Sequence, residues 1–152
     1  MDIKLITLGK IKENYLKDAI SEYSKRISAF CNLKIIELKE YNENEATDLE
    51  KEKVLILKEI SDNDYVVTLE IEGKMLDSVD FSSFVCNHHT YNNKNLCFII
   101  GSSCGLINDV KKRSDYKISF SKMTFPHQLM RVIFLEQLYR AFMIGQNRKY
   151  HK

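Results

Sequence analysis

Short apolar runs and stretches with helical spacing alternate from one end of the chain to the other. Ile3–Leu8 reads as a strand stopped by Gly9. Tyr15, Ala19, Ile20, Tyr23 and Ile27 then recur at the three- and four-residue intervals of an amphipathic helix. Leu33–Leu38 is the second strand, and the polar, acidic residues 39 to 44 form a loop. Val54, Leu55, Leu57 and Ile60 mark a helix running to about residue 60. Tyr65–Ile71, rich in β-branched residues, predicts a third strand. A helix from Val79 to Thr90 follows, capped by Asp77 or Ser78. Leu96–Ile100 is apolar at every position, which suits the middle of a parallel sheet. A short helix after Gly105 leads to a fifth strand, Tyr116–Phe120. Pro126 fits the first turn of a final helix, where its missing N–H costs nothing, and Gly145 is a plausible stop. Strands separated by helix-length segments imply parallel connections. The fold class is α/β, with one domain over residues 1–152, a parallel-type sheet and helices on both faces.

The final helix is unusually apolar. Leu129, Met130, Val132, Ile133, Phe134, Leu135, Leu138, Phe142, Met143 and Ile144 leave little of its circumference polar. Such a helix is either deeply buried or packed against a second subunit, and the pattern favours a homodimer. Arg131 shares a stripe with Leu135, Leu138 and Phe142 and needs a partner there, because a bare buried charge is costly. That partner is either a structural carboxylate or a ligand phosphate. Glu136 and Arg140 stand four residues apart and pair; were dimerisation to bury them, Glu136 would become a base with a raised pKa.

A length of 152 residues with 44% hydrophobic and 29% charged residues fits one globular domain. No apolar run approaches the roughly 20 residues of a membrane span. Met1 leads straight into a strand without a signal-peptide core, so a cytoplasmic location is expected. The four cysteines are scattered and read as reduced thiols. Cys86 with His88 and His89 matches no zinc spacing, and no metal is expected. The net charge of +2 hides an asymmetry, since residues 40–64 hold nine acidic side chains against three lysines. Basic residues collect near the two ends: Lys10, Lys12, Lys17, Lys25 and Arg26, then Arg148, Lys149 and Lys152. If those ends meet they form a face able to hold phosphates.

Three segments at predicted strand ends could line one pocket: 69–74, 100–105 and 120–127. In open α/β sheets ligands bind beyond the carboxyl ends of the strands. Gly101-Ser102-Ser103-Cys104-Gly105 is not a dinucleotide fingerprint, and no acidic residue ends the next strand to hold a ribose. A phosphate loop and a nucleophile elbow are also absent, and Ser102, Ser103 and Cys104 read as turn residues rather than nucleophiles. The remaining lining, Leu69, Ile71, Gly101, Phe120, Met123 and Phe125, suits an adenosine-like ligand held by backbone groups and aliphatic walls. A flavodoxin-like nucleotide-binding protein would share the α/β alternation.

These residues also carry a resemblance that covers nearly the whole chain. Leu8-Gly9-Lys10, Glu22-Tyr23-Ser24-Lys25-Arg26, Val67 through Lys74, Ile100-Gly101, Ser119 through His127, Arg131, Leu138-Tyr139-Arg140-Ala141 and Tyr150-His151-Lys152 resemble the ribosomal large subunit methyltransferase H family. That family belongs to the SPOUT class of RNA methyltransferases. The resemblance implies a carboxyl-terminal trefoil knot, a rare exception to unknotted topology, and a homodimer. It implies S-adenosylmethionine as cofactor, held by Leu69, Gly101, Phe120, Ser121, Lys122, Met123, Thr124 and Phe125. The implied reaction methylates N3 of a pseudouridine in large-subunit ribosomal RNA of the assembled ribosome. Glu136, His151 and Arg131 are the expected catalytic groups, and His127, Tyr150 and Lys152 the expected RNA contacts. The tail is expected to order on RNA, with Tyr150 stacking on a base. A non-catalytic ribosome-binding factor of the same fold is the alternative. Ser102 stands where the family usually has a second glycine. A positive φ there would store strain of about 1–3 kcal/mol.

Overall fold

The computed structural model describes residues 1–41 and 44–152, except for the side chains of Glu45 and His89. Its five strands are β1 (Asp2–Leu8), β2 (Asn32–Leu38), β3 (Asp64–Met75), β4 (Asn95–Ile100) and β5 (Tyr116–Ser119). All pair in parallel, in the order β2-β1-β4-β3-β5. The helices are α1 (Asn14–Ile27), α2 (Glu45–Glu59), α3 (Ser78–Tyr91), α4 (Asn108–Arg113) and α5 (His127–Gly145). Asp77 is the cap of α3, its side chain accepting from Asp80 N at 2.8 Å.

Side-chain alternation along each strand supplies two cores. Ile3, Leu5, Val67 and Phe98 face α1, α3 and α5, whereas Ile6, Val66, Cys97 and Ile99 face α2 and α4. The central strands are apolar on both sides because helices cover both. Burial pushes the thiols of Cys31 and Cys97 up to about 11 and about 12. Among the described residues, no helix is long and apolar enough to cross a membrane.

In α1 the predicted stripe holds except at Tyr15, whereas α2 sits at a different phase from the one its apolar residues predict. In α1 the inward stripe runs through Leu16, Ile20, Tyr23 and Ile27, and Tyr15 is 70% exposed. In α2, Val54 and Leu57 face outward, and Asp48, Glu52 and Ile56 face the sheet. The start of α2 explains this. Asn44 accepts from Thr47 N, and Asp48 accepts from Asn44 N at 2.8 Å, which fixes the acidic side inward. The predicted loop at 39–44 includes positions 42 and 43, which lie outside the described residues.

α5 lies between α1 and α3 on one face of the sheet. Phe30, just beyond α1, stacks on Phe142 with ring centroids 5.3 Å apart, and Ser82 of α3 donates to Ala141 O at 2.6 Å. Of its ten apolar residues named above, only Leu129 is exposed. Neighbours within the chain bury Phe134, Leu135, Leu138 and Phe142, whereas Met130, Val132, Ile133, Met143 and Ile144 are half-buried. The end of α5 also differs from expectation: the left-handed residue is Asn147 (φ 53), and Gly145 is still helical. Gly145 serves close packing instead, because a Cβ there would lie 2.6 Å from Cys86 Sγ. Gly145→Ala is expected to lower stability by about 1–3 kcal/mol. Urea midpoints should show Cys86→Ala recovering most of that loss in the double variant.

β3 continues past Ile71 to Met75, with an interruption. Leu69 and Lys74 both pair with Ile118, so residues 70–73 leave the ladder and the strand returns to the same residue of β5. At Gly73 the crossing is so close that a Cβ would sit 2.6 Å from the Ile118 carbonyl carbon. Only glycine fits.

Candidate functional site

The carboxyl ends of β3, β4 and β5 and the amino end of α5 enclose a cavity of about 620 Å³. The three segments predicted to meet do meet here. Leu69, Gly101, Phe120, Ser121, Met123, Thr124, Phe125 and His127 all line the cavity, whereas Lys122 is exposed and does not. The size falls within the roughly 300–1,000 Å³ of small-molecule sites, and the apolar walls suit a flat heterocycle.

Gly101 makes the turn above β4 possible. A Cβ at this position would lie 2.7 Å from Gly105 O and 2.9 Å from Gly105 C. Ser102 and Gly105 close the turn with an antiparallel bridge, Gly105 N donating to Ser102 O at 2.9 Å. Gly105 carries the positive φ, at 84°, and Ser102 does not, so the condition for strain at Ser102 is not met. Its hydroxyl instead accepts from Cys104 N at 3.3 Å. Under this turn lies Glu52, 2% exposed. Burial pushes its carboxyl above the usual range, with Ser102 and the Tyr41 backbone pulling the other way.

Glu40, just past the end of β2, escaped the sequence reading. One of its oxygens accepts from Ser103 N and Oγ, each at 3.3 Å. The other lies 3.2 Å from His127 Nε2. Gly9, at φ 82, leaves room for that carboxylate, since a Cβ there would stand 2.7 Å from it. Glu40 thus holds the 101–105 turn to the start of α5. A carboxylate following a strand was the only signal in the sequence, and its partners lie 63 and 87 residues away.

Arg131 is 2% exposed. Its guanidinium donates to Glu37 Oε2 at 2.8 Å, to Gly9 O at 2.7 Å and to Leu8 O. Burial draws its pKa down and Glu37 opposes that, but a guanidinium remains charged. Of the two readings left open, the structural carboxylate is the one the geometry supplies. Arg131 ties α5 to the ends of β1 and β2 and is not part of the cavity lining.

Glu136 belongs to a second group. Its carboxylate takes Arg140 Nη2 at 2.6 Å, Gln137 Nε2 at 2.9 Å and the Tyr150 hydroxyl at 3.1 Å. Arg140 also lies 4.7 Å over the Tyr150 ring and 3.3 Å from His151 Nδ1. Burial and the Glu136 charge push the Tyr150 hydroxyl up to about 12. Tyr150 thus packs edge-on against Tyr139 and bonds Glu136, while His151 and Lys152 are exposed. The two ends of the chain do come together. Arg26 stands 5.7 Å from the Tyr139 ring, and Arg148 stands 5.6 Å from Phe30. Glu136 follows His127 by nine residues, about 13 Å along the helix axis. Cavity and carboxylate cluster are thus separate within one chain.

A family model described as "Predicted SPOUT methyltransferase" matches residues 1–151. The chain belongs to the SPOUT methyltransferases. Within that family it is similar to proteins named ribosomal RNA large subunit methyltransferase H. The one from Clostridium botulinum strain Alaska E43 is 52% identical, and that from Clostridium acetobutylicum 48%, each aligned over 100% of both chains. Two solved structures share the SPOUT fold. A probable methylase family protein from Haemophilus influenzae Rd KW20 matches 99% of this chain and 70% of its own, at TM-score 0.57 and 13% identity. A probable methyltransferase from Bordetella pertussis Tohama I matches 91% of this chain and 93% of its own, at TM-score 0.53 and 10% identity. This membership sets aside the flavodoxin-like reading. Among the described residues of this SPOUT chain, no three His, Cys, Asp or Glu side chains converge as metal ligands.

Proposed function

We propose that this protein methylates large-subunit ribosomal RNA, using S-adenosylmethionine, at N3 of a pseudouridine in the assembled cytoplasmic ribosome. The observation that carries the reading is the convergence of three strand-end segments on one cavity of adenosine size. Full-length identity near 50% to named ribosomal RNA methyltransferases supports the substrate. The residues present fit the cofactor: Gly101 keeps the turn where any Cβ would press on Gly105, and Leu69, Phe120 and Phe125 provide apolar walls. When bound, that cofactor supplies an activated methyl group on a sulfonium.

The chain's own residues then bind, align and move a proton. Backbone groups of Leu69, Gly101 and residues 120–125 read the base edge, with Lys122 at the rim. An imide nitrogen must lose its proton to accept a methyl, and Glu136, already held by Arg140 and Tyr150, is the proposed acceptor, with His151 beside it. Arg131 acts as a positioning residue, and His127, Tyr150 and Lys152 contact RNA. The separation between the cavity and Glu136 favours a homodimer, in which a second copy would close the gap. The return of β3 past β5 at Gly73 supports the knot implied by the family.

Mass spectrometry of ribosomal RNA from a strain lacking this gene tests the reading. The methylpseudouridine signal should vanish, return with the intact gene, and stay absent with a gene truncated before Tyr150. The truncated protein should still bind the cofactor in calorimetry. An unchanged signal in the deletion strain removes the proposal. Unchanged RNA beside no cofactor binding in calorimetry favours a ribosome-binding factor.

A further inference from the structure

Strand register supplies what the linear sequence lacks. Leu69 pairs with Ile100, so the next residue of β3, Glu70, stands level with Gly101, just past the end of β4, and both line the cavity. A glycine turn flanked by an acid at the end of the neighbouring strand is the arrangement by which α/β sheets hold the ribose of an adenosine ligand. The acid here comes from an earlier strand, not a later one, and a search along the chain passes over it.

Glu70 is also aimed. The Thr68 hydroxyl donates to Glu70 Oε1 at 2.9 Å, and Thr68 is fully buried. Ser114 Oγ lies 2.8 Å from Thr68 Oγ1 and 3.3 Å from Thr68 N. The Thr68 hydroxyl is the donor toward both Glu70 Oε1 and Ser114 Oγ, while Ser114 Oγ gives its own proton to Tyr116 O at 2.7 Å. The bond to Glu70 fixes one carboxylate oxygen. Among the described residues no hydrogen bond is recorded to the other. Residues 70–73 leave the β3–β5 ladder at this point, which frees the side chain from a strand partner on that edge.

We propose that Glu70, oriented by Thr68, accepts hydrogen bonds from the ribose hydroxyls of the adenosine ligand and so selects ribose over deoxyribose. The inference rests on the cofactor reading above and adds a residue and a specificity to it. A carboxylate bonded to a diol contributes charge-assisted hydrogen bonds, and their loss is expected to weaken binding about ten- to hundredfold.

Calorimetry on the isolated protein decides the matter with two stable probes. S-adenosylhomocysteine carries the amino-acid arm, and 5′-methylthioadenosine keeps only base and ribose. Glu70→Ala should weaken both by the same factor, Glu70→Gln by less because its amide oxygen still accepts, and Thr68→Val should fall between wild type and Glu70→Ala. The 2′-deoxy form of 5′-methylthioadenosine should bind wild type more weakly than its parent and bind Glu70→Ala no more weakly than its parent does. Loss confined to S-adenosylhomocysteine would put Glu70 at the amino-acid arm and overturn the inference, as would unchanged affinity for both probes. If wild type binds both probes while Glu70→Ala binds them equally well, only this inference falls. If wild type binds neither, the cofactor reading falls with it.

Discussion

Replacing Gly101 with alanine is expected to weaken S-adenosylmethionine binding by at least about a hundredfold, because displacements near 1 Å at a site have effects of that order. The new Cβ would meet Gly105 O at 2.7 Å and Gly105 C at 2.9 Å. Both are backbone atoms and cannot rotate away, so the turn must open. Opening it breaks the Ser102–Gly105 bridge and shifts the backbone that faces the cavity. The sheet below is untouched, since Ile100 remains paired with Leu69. Calorimetry should therefore report lost affinity in a protein whose circular dichroism matches wild type. Undiminished affinity would mean that the ligand sits elsewhere.

The second large effect concerns stability. Arg131→Met keeps most of the volume but strands Glu37, Leu8 O and Gly9 O, which the guanidinium now joins. Removing one partner of a buried ion pair costs about 3–5 kcal/mol. Glu37 is 42% exposed and can rehydrate, which places the expectation at the lower end of that range. At about 2–4 °C per kcal/mol for a chain of this size, the melting temperature should fall by roughly 10 °C. A fall of less than 2 °C would contradict the role assigned to Arg131. Lysine should recover little, since one ammonium cannot span a carboxylate and two carbonyls held in a fixed fork.

How far the sequence leads depends on whether the relevant forces are local. β4 was legible because a strand covered on both faces must be apolar throughout. The three pocket segments were legible because parallel strands send their carboxyl ends the same way. α2 misled because the side it buries carries Asp48 and Glu52, and periodicity treats such residues as outward. Its phase comes from Asn44 and Asp48 at the cap, a hydrogen-bond argument that outweighs two exposed aliphatic side chains. Tyr15 misled for a related reason: Leu16, one residue on, was the better anchor. Glu40 and Glu70 stayed hidden because their significance lies in neighbours brought by register and crossover. A carboxylate at a strand end has no meaning until the adjacent strand is known. The helix-on-helix cover of α5 could not be read either, since apolarity says that a surface is buried and not by what.

The seating of α5 between α1 and α3 bears on biosynthesis. Ribosomes deliver chains from the amino terminus, and domains close only once their parts have emerged. Leu16, Ile20, Tyr23 and Ile27 lack their main cover until the final helix leaves the exit tunnel. The nascent polypeptide therefore carries an open greasy stripe until residues 127–145 emerge, and holdase chaperones should engage it until then.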